Sequence, residues 1–508
     1  MQSFIKKGGA TAIILALSTP VALADITADD VWADWRSYMS DAGYDISASE
    51  GRSGNRLTIT DMSMSLPIPE ENATVTLILG TLSMVENGDG SVNVEFPSPM
   101  PIGFSVSDGG AEMVRGSIIM THTGSVMQVT GDPNSMTYTH SSATNDITLG
   151  DILVEGQPIP PGLADVKISI NDTNGVTKMT NGDLRQFDQT YNVGSITYDI
   201  KASDPGSNDG GSAKGSLTGL RFAGTGAMPK NVDTSDMVAM MAAGMSVDGS
   251  ISYASGNSDI QGQDGSDQFA MTTSSSGGDF GVAINRTNLR YTLLNRNVDV
   301  SVTSSELPFP VQTRFDEAGF TLDAPVAQSD TPQDFQLGVN LSGFTMSDLI
   351  WSLFDPATVL PRDPATIVMD ISGQARMLLD LMNPEALMTL DRSPAPPAEI
   401  HSLSINKLLV SLVGASLSGN GAFTFDNNDL ATFGGVPRPT GEVNLQLMGG
   451  NGLIDKLIQM GFVSDQDAMG ARMMMGMLAV PGDGPDTLNS KLEINDQGHV
   501  LANGQRIQ

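Results

Sequence analysis

Four histidines, His122, His140, His401 and His499, are the imidazoles this 508-residue chain offers to acid–base or metal chemistry. His122 and His140 stand among Thr and Ser, with no histidine or carboxylate at ligand spacing, and read as polar sheet residues rather than zinc ligands. The chain contains no cysteine, so thiolate nucleophiles, thiolate metal sites and disulfides drop out together. Carboxylates are plentiful, 58 against 26 basic residues. The acidic stretches 259–267 and 426–429 offer oxygen ligands of the kind calcium takes, but neither follows an EF-hand or nonapeptide spacing. A carboxylate pair for glycoside hydrolysis is set in space and not in sequence, which leaves that chemistry open, although 5% aromatic residues supply few sugar platforms. G-x-S-x-G, Walker and H-E-x-x-H motifs are missing, and Gly-x-Gly instances such as those at 224–226 and 419–421 lack the third glycine of a dinucleotide fingerprint. The sequence therefore nominates no catalytic residue, no cofactor site and no metal ligand.

The elements that would position any site begin after an export signal. Lys6 and Lys7, an apolar run over 10–17, and Ala22-Leu23-Ala24 match a secretory leader, so cleavage is expected after Ala24 and a periplasmic location follows. The run is shorter than the roughly 20 residues of a spanning helix, and no later transmembrane segment is expected. Without a cysteine at the cleavage point a lipoprotein anchor is not expected either. A formal net charge of −32 argues against nucleic acid and anionic bilayers as electrostatic partners.

Thr27 with Asp30, Asp233, Thr345 with Asp348, and Ser464 with Asp467 each mark a helix start. The first helix carries Val31, Trp32, Trp35, Tyr38 and Met39 on one face and is expected to lie on the first sheet. The second, over 233–244, has a Met and Ala face. The last carries Met469, Met473, Met477 and Val480, a stripe suited to filling core gaps or to receiving an adaptable ligand. A further helix is expected over 453–460 and a broken one over 378–390, around Pro384, before a rigid link at 394–397.

Between helices the period is two. Val75, Leu77 and Leu79 alternate, as do Val92, Val94 and Phe96, then Val166, Ile168 and Ile170, and Ile196, Tyr198 and Ile200. Asn87-Gly88, Asp89-Gly90 and Asn181-Gly182 supply hairpin turns. The pattern slips at Asp61, as a β-bulge would make it. In the second half Leu289, Tyr291 and Leu293, and then Val298, Val300 and Val302, read as successive runs. Residues 203–215 read as the most flexible loop, and the polar, glycine-rich 255–278 helps place a lobe boundary near 245. The expected division is a signal at 1–24, a lobe over 25–245 and a lobe over 246–508.

The most informative stretch is 344–373. Met346, Leu349, Ile350, Leu353 and Phe354 space as one helical face with Trp351 at its edge. Asp355-Pro356 then stops the helix, Pro361 and Pro364 hold an extended link, and Ile367, Met369 and Ile371 alternate as a strand. Trp32, Trp35, Trp351, Phe354, Pro356, Pro361 and Pro364 are nominated as structural residues.

LIWSLFDP at 349–356, LPRDPATIVMDISG at 360–373, the glycine-rich 433–457, ARMMMGMLAVPG at 471–482 and the ending from Gly498 resemble the bacterial family catalogued as domain of unknown function 2125. With weaker agreement the resemblance covers most of the mature chain. It implies no activity and no site residues. A looser likeness of pattern, glycine-rich strand, turn, strand and short helix, is to AsmA-like envelope proteins, whose curved sheets are implicated in lipid handling.

The expected fold is mainly β: extended, twisted antiparallel sheets, with a groove or half-barrel as one form, and a few short amphipathic helices. The expected function is non-enzymatic, an envelope protein binding lipid or another apolar ligand along a β-sheet groove. An acidic interaction or scaffold module is the alternative, and a carboxylate-pair hydrolase the third.

Overall fold

The computed structural model describes residues 25–508 apart from 69–71, 161, 205, 234–235, 384–385 and 389–395. The stretch expected to be an export signal, the break expected at Pro384 and the start of the link expected at 394–397 fall outside the described residues. Among the described residues the strands form one antiparallel sheet of 28 members. Short turns join most neighbours, so the sheet is a meander: Asp45–Ser53 pairs with Arg56–Ile68, and Ala164–Asn181 with Leu184–Ser203, which pairs in turn with Gly210–Pro229. The ladder runs on across position 245, where Gly210–Pro229 pairs with both Ser246–Tyr253 and Ser255–Asp264. It then continues through Asn288–Ser304, Val311–Pro325, Gln333–Met346 and Ala365–Met377 towards Thr487–Ile494. Of the loop expected over 203–215, only 204 and 206–209 lie outside the strands among the described residues. From Gly210 the chain is already strand, because its glycines lie in register with residues 202–203 and 262–263.

The sheet is about twenty strand levels deep, which at roughly 4.8 Å per level gives a ribbon on the order of 95 Å long. Its accessible surface of 28833 Å² far exceeds the roughly 18,000 Å² of a compact chain of this mass. Such a ribbon leaves much of its faces open.

Left-handed residues interrupt many of the strands part-way along. Asp61, Asp172, Gly219, Asn297 and Gly343 all have positive φ, and several touch across neighbouring strands: a Cβ on Gly219 would meet that of Ala254 at 2.9 Å, and one on Gly194 would meet that of Asp172 at the same distance. Each bulge flips the side-chain parity. In Asn288–Ser304, Leu289, Tyr291 and Leu293 share a face with Val298, Val300 and Val302 only because Asn297 shifts the count. The two runs read from the sequence are thus one 17-residue strand. Bulges at a common level bend the ribbon along one line while keeping its apolar residues on one face.

The helices sit at strand ends. Helix α1 (Ala28–Asp41) starts with the expected capping box of Thr27 and Asp30, and α2 (Met237–Ala242) is capped by Asp236, three residues later than expected. The helix expected from Thr345 is corrected: Thr345 and Met346 pair as strand with Arg314 and Thr313, and α3 (Asp348–Trp351) is a single turn whose cap position, Ser347, makes no side-chain bond. Ladder hydrogen bonds hold the residues the cap would have used. Helix α4 spans Gly450–Gln459 and α5 spans Asp465–Leu478, the latter capped by Ser464 as expected. Among the described residues no helix is long and apolar enough to cross a membrane.

Candidate functional site

Cross-strand register aligns apolar side chains into rows across the ribbon. One row begins with Leu57, Met84 and Val94, passes Met127 and His140, and reaches Gly175 and Tyr191. It goes on through Phe222, Ile251, Phe280, Leu293 and Phe320, then Val339, Met369 and Leu408, and ends near Leu445. The first three are buried; from Met127 onward the large side chains are half-buried, with Ile251 exposed. A packed sandwich would bury them all.

The cover over the first three is α1. Ile26, Ala28, Val31 and Trp32 are buried against Leu57, Ile59, Met84, Val92 and Tyr138, with Trp35, Met39, Met64 and Leu79 packed around them. Trp35 stacks on Phe96 at 6.4 Å, and Trp32 donates its indole N–H to Glu50 at 2.7 Å. Beneath α1 lies a buried polar clamp. Asp34 pairs with Arg185 at 2.9 Å, the two side chains 4% and 3% exposed. Asp34 also accepts from the Tyr138 hydroxyl at 3.0 Å and from Asn181 Nδ2 at 2.8 Å. Burial, and then the Asp34 charge, push the Tyr138 phenol far above its usual range, so it stays a donor. The three partners Tyr138, Asn181 and Arg185 stand 104, 147 and 151 positions from Asp34 in sequence, and no local motif announces them.

The rest of the face is kept low by a pairing of rings with glycines. Tyr191 lies over Gly175, Phe187 over Gly226, Phe104 over Gly116, Tyr198 over Gly215 and Phe335 over Gly373, each so close that a Cβ on the glycine would collide with the ring. Glycine inside a strand costs stability and marks close approach. Here it lets aromatic rings lie flat instead of filling the space above the sheet.

His122 and His140 both stand on this face, where the bulges bend it. His122 pairs with Asn145 and His140 with Gly175. Burial, with His122 nearby, lowers the His140 pKa. His122 Nε2 lies 3.2 Å from the Phe96 carbonyl, and Ser142 bonds to Asn145 at 3.1 Å. His401 lies 3.9 Å from Glu399 and His499 packs near the last turn, neither beside this pair.

The opposite face is polar and lined with cross-strand pairs such as Arg290–Asp248 at 2.8 Å and Lys491–Glu442 at 2.7 Å. A depression of about 1010 Å³ there is lined by Asp165, Lys201, Lys214 and Asp259, and one of about 710 Å³ by Asp323, Gln336 and Ser372. Asp426 and Asp429, in the acidic stretch weighed for calcium, both reach Arg438, at 3.2 and 3.0 Å. Every carboxyl with a resolved shift moves downward: for Glu442 the Lys491 ammonium is the main cause, and for Asp429 the Thr432 hydroxyl. Among the described residues no cluster of three metal-ligating side chains occurs.

The nominated corner residues are placed as follows. Trp351 is buried, meets Phe354 at 5.1 Å and lies under Arg362 at 5.7 Å. Phe354, Leu349 and Leu353 are exposed, so the expected apolar helical face is not buried there. Pro356 follows Asp355, whose buried carboxylate accepts from the amides of Val359 and Leu360 at 2.8 and 2.9 Å. Pro361 abuts Gly414, and Pro364 leads into the strand Ala365–Met377. On α5 the methionine stripe faces solvent: Met469 is 69% and Met473 71% exposed.

Fold and face together define an open antiparallel β-ribbon, stoppered by a helix at its N-terminal end. Residues 250–504 match the family described as "Uncharacterized protein conserved in bacteria (DUF2125)", and the chain belongs to that family. No curated protein and no solved structure matches it.

Proposed function

We propose that this is a non-enzymatic protein of the bacterial envelope, acting in the periplasm, that binds lipid or another long apolar ligand along the apolar face of its ribbon. The observation that carries the reading is the row from Met127 to Leu445, continuous, half-buried and kept low by rings lying on glycines. Leaving so much apolar surface half-wet forfeits about 25 cal/mol for every Å² not buried, and contiguous patches above a few hundred Å² mark interaction sites. An acyl chain laid along the rows would complete that burial.

The test is extraction of lipid from natively purified full-length protein, followed by mass spectrometry and by titration of the stripped protein with an apolar fluorescent probe. Co-purified lipid and saturable probe binding are expected. Protein that emerges bare and binds no probe would remove the reading. One observation favours the second reading, an interaction module for an envelope partner: the exposed methionine stripe of α5, since methionine surfaces adapt to varied partners.

A further inference from the structure

We propose that Met473, Met474 and Met477 of α5 form a thioether site for a soft monovalent cation, copper(I), independent of the apolar face of the ribbon. The helix Asp465–Leu478 turns its basic charge inward and its apolar side chains outward, the reverse of an ordinary surface helix. Ala468 is buried, and Arg472 and Met475, four and seven residues on, are half-buried. Arg472, the one basic residue of α5, reaches Asp455 of α4 at 2.5 Å and Asn451 at 3.3 Å. On the outward side stand Met469, Met473, Met474 and Met477, all exposed. Every large apolar side chain there is a thioether, whereas exposed apolar sites elsewhere also use Leu and Phe, as at Leu353, Phe354 and Phe462. Thioether sulfur is a soft, neutral ligand that selects copper(I), and in a chain without cysteine methionine supplies the only sulfur.

Spacing places three of the four sulfurs within reach of one ion. Met477 follows Met473 by four residues and Met474 by three, which sets its Cβ about 5–6 Å from each of theirs, and Met473 and Met474 are neighbours in the chain. Long helical side chains lean towards the N-terminus over the i−3 and i−4 positions, so Met477 extends over the other two. Three flexible thioethers rising from such a triangle converge by rotamer changes alone. Met469 lies about 12 Å along the axis from Met477, too far to share an ion with it. One turn before the pair, Gly470 keeps the surface clear, since a Cβ there would meet nothing within 4 Å. The net charge of −32 draws cations to the chain, and the Arg472 charge is turned away and paired.

The experiment titrates the full-length protein in chloride-free buffer with silver(I), an air-stable analogue, and with copper(I) kept reduced by ascorbate, in competition with a chromogenic chelator. One equivalent of either ion should bind. Affinity should be unchanged between about pH 5 and 8, where a histidine ligand would titrate, because a thioether has no proton to lose. Met473→Leu, Met474→Leu and Met477→Leu together are near in volume and tolerated, so circular dichroism should match wild type. They should nevertheless cost at least about tenfold in affinity, the loss that even an outer-shell change brings at a metal site. Met237→Leu, at an exposed methionine of α2, should cost nothing. Absent binding, binding that weakens with acid as histidine ligands would, or binding that survives the triple variant overturns the assignment. Leucine keeps the surface apolar, so wild type that binds no silver(I) while a protein partner docks equally on wild type and triple variant assigns the stripe to protein contact instead.

Discussion

At the scale of single residues, the clamp under α1 decides whether the stopper stays seated. Asp34→Ala leaves Arg185 charged and buried and gives up the Tyr138 hydroxyl's carboxylate acceptor, leaving it the weak acceptor Met136 Sδ at 3.3 Å, and breaking such a pair costs about 3–5 kcal/mol. The Arg185 Nε has no hydrogen-bond partner among the described residues, so the pair is not fully compensated even when intact. Asp34→Leu with Arg185→Met should therefore recover most of the loss, and urea unfolding followed by the Trp32 and Trp35 fluorescence measures both. A second residue-level prediction concerns Asp486. Burial raises its carboxyl, but the donors that outweigh burial, the amides of Gly452 and Asn451 and the Asn451 side chain, set its pKa below the ordinary aspartate value. Because the folded value is depressed, the contribution is full above the unfolded pKa of about 3.9 and fades as pH falls through the folded one. Asp486→Asn should lower stability at pH 7 and flatten the loss expected of the wild type below about pH 4, read from melting temperatures across pH; an unaltered slope would show that Asp486 does not anchor α4.

At the scale of elements, the pairing of ring and glycine makes a prediction that distinguishes floor from filler. Gly175→Val drives a side chain into Tyr191, and overpacking of this kind costs about 1–3 kcal/mol. The displaced ring would stand up from the sheet, so probe binding should fall by more than the stability change explains, compared against Gly262→Val, where a Cβ meets nothing. Equal effects at both positions would mean the face is not a binding floor. How much of this was legible follows from where each signal lives. Period-two alternation, the bulge at Asp61 and the caps at Thr27 and Ser464 depend on residues a few positions apart, and all are in the structure as read. The parity flip at Asn297 was legible only as two separate runs, because a bulge and a turn both break alternation. The cap at Thr345 failed because residues 345–346 are held by partners some thirty positions upstream. Ring-on-glycine pairs and the Asp34 clamp need register and tertiary closure, which no local pattern encodes. The nomination of His122 and His140 as polar sheet residues placed them on strands, but their shared face depends on strands meeting across the bend.

At the scale of the whole molecule, the meander and the solvent exposure of its apolar face are one property. A sheet that grows by antiparallel addition has no reason to close unless its ends meet, and here the first strand, Asp45–Ser53, is rich in Ser, Asp, Glu and Arg, a composition that discourages further edge pairing. The other end finishes in the short strands Val500–Ala502 and Gln505–Arg506. A ribbon on the order of 95 Å long has a radius of gyration near 30 Å, whereas a compact chain of this length has about 23 Å. Small-angle scattering of the purified protein separates the two outcomes without reference to any ligand. A value near 30 Å, unchanged when lipid is removed, is expected if the sheet itself sets the length. A value near 23 Å would mean that the ribbon folds back on itself and buries its own apolar rows, and with that the surface offered to a lipid would be gone.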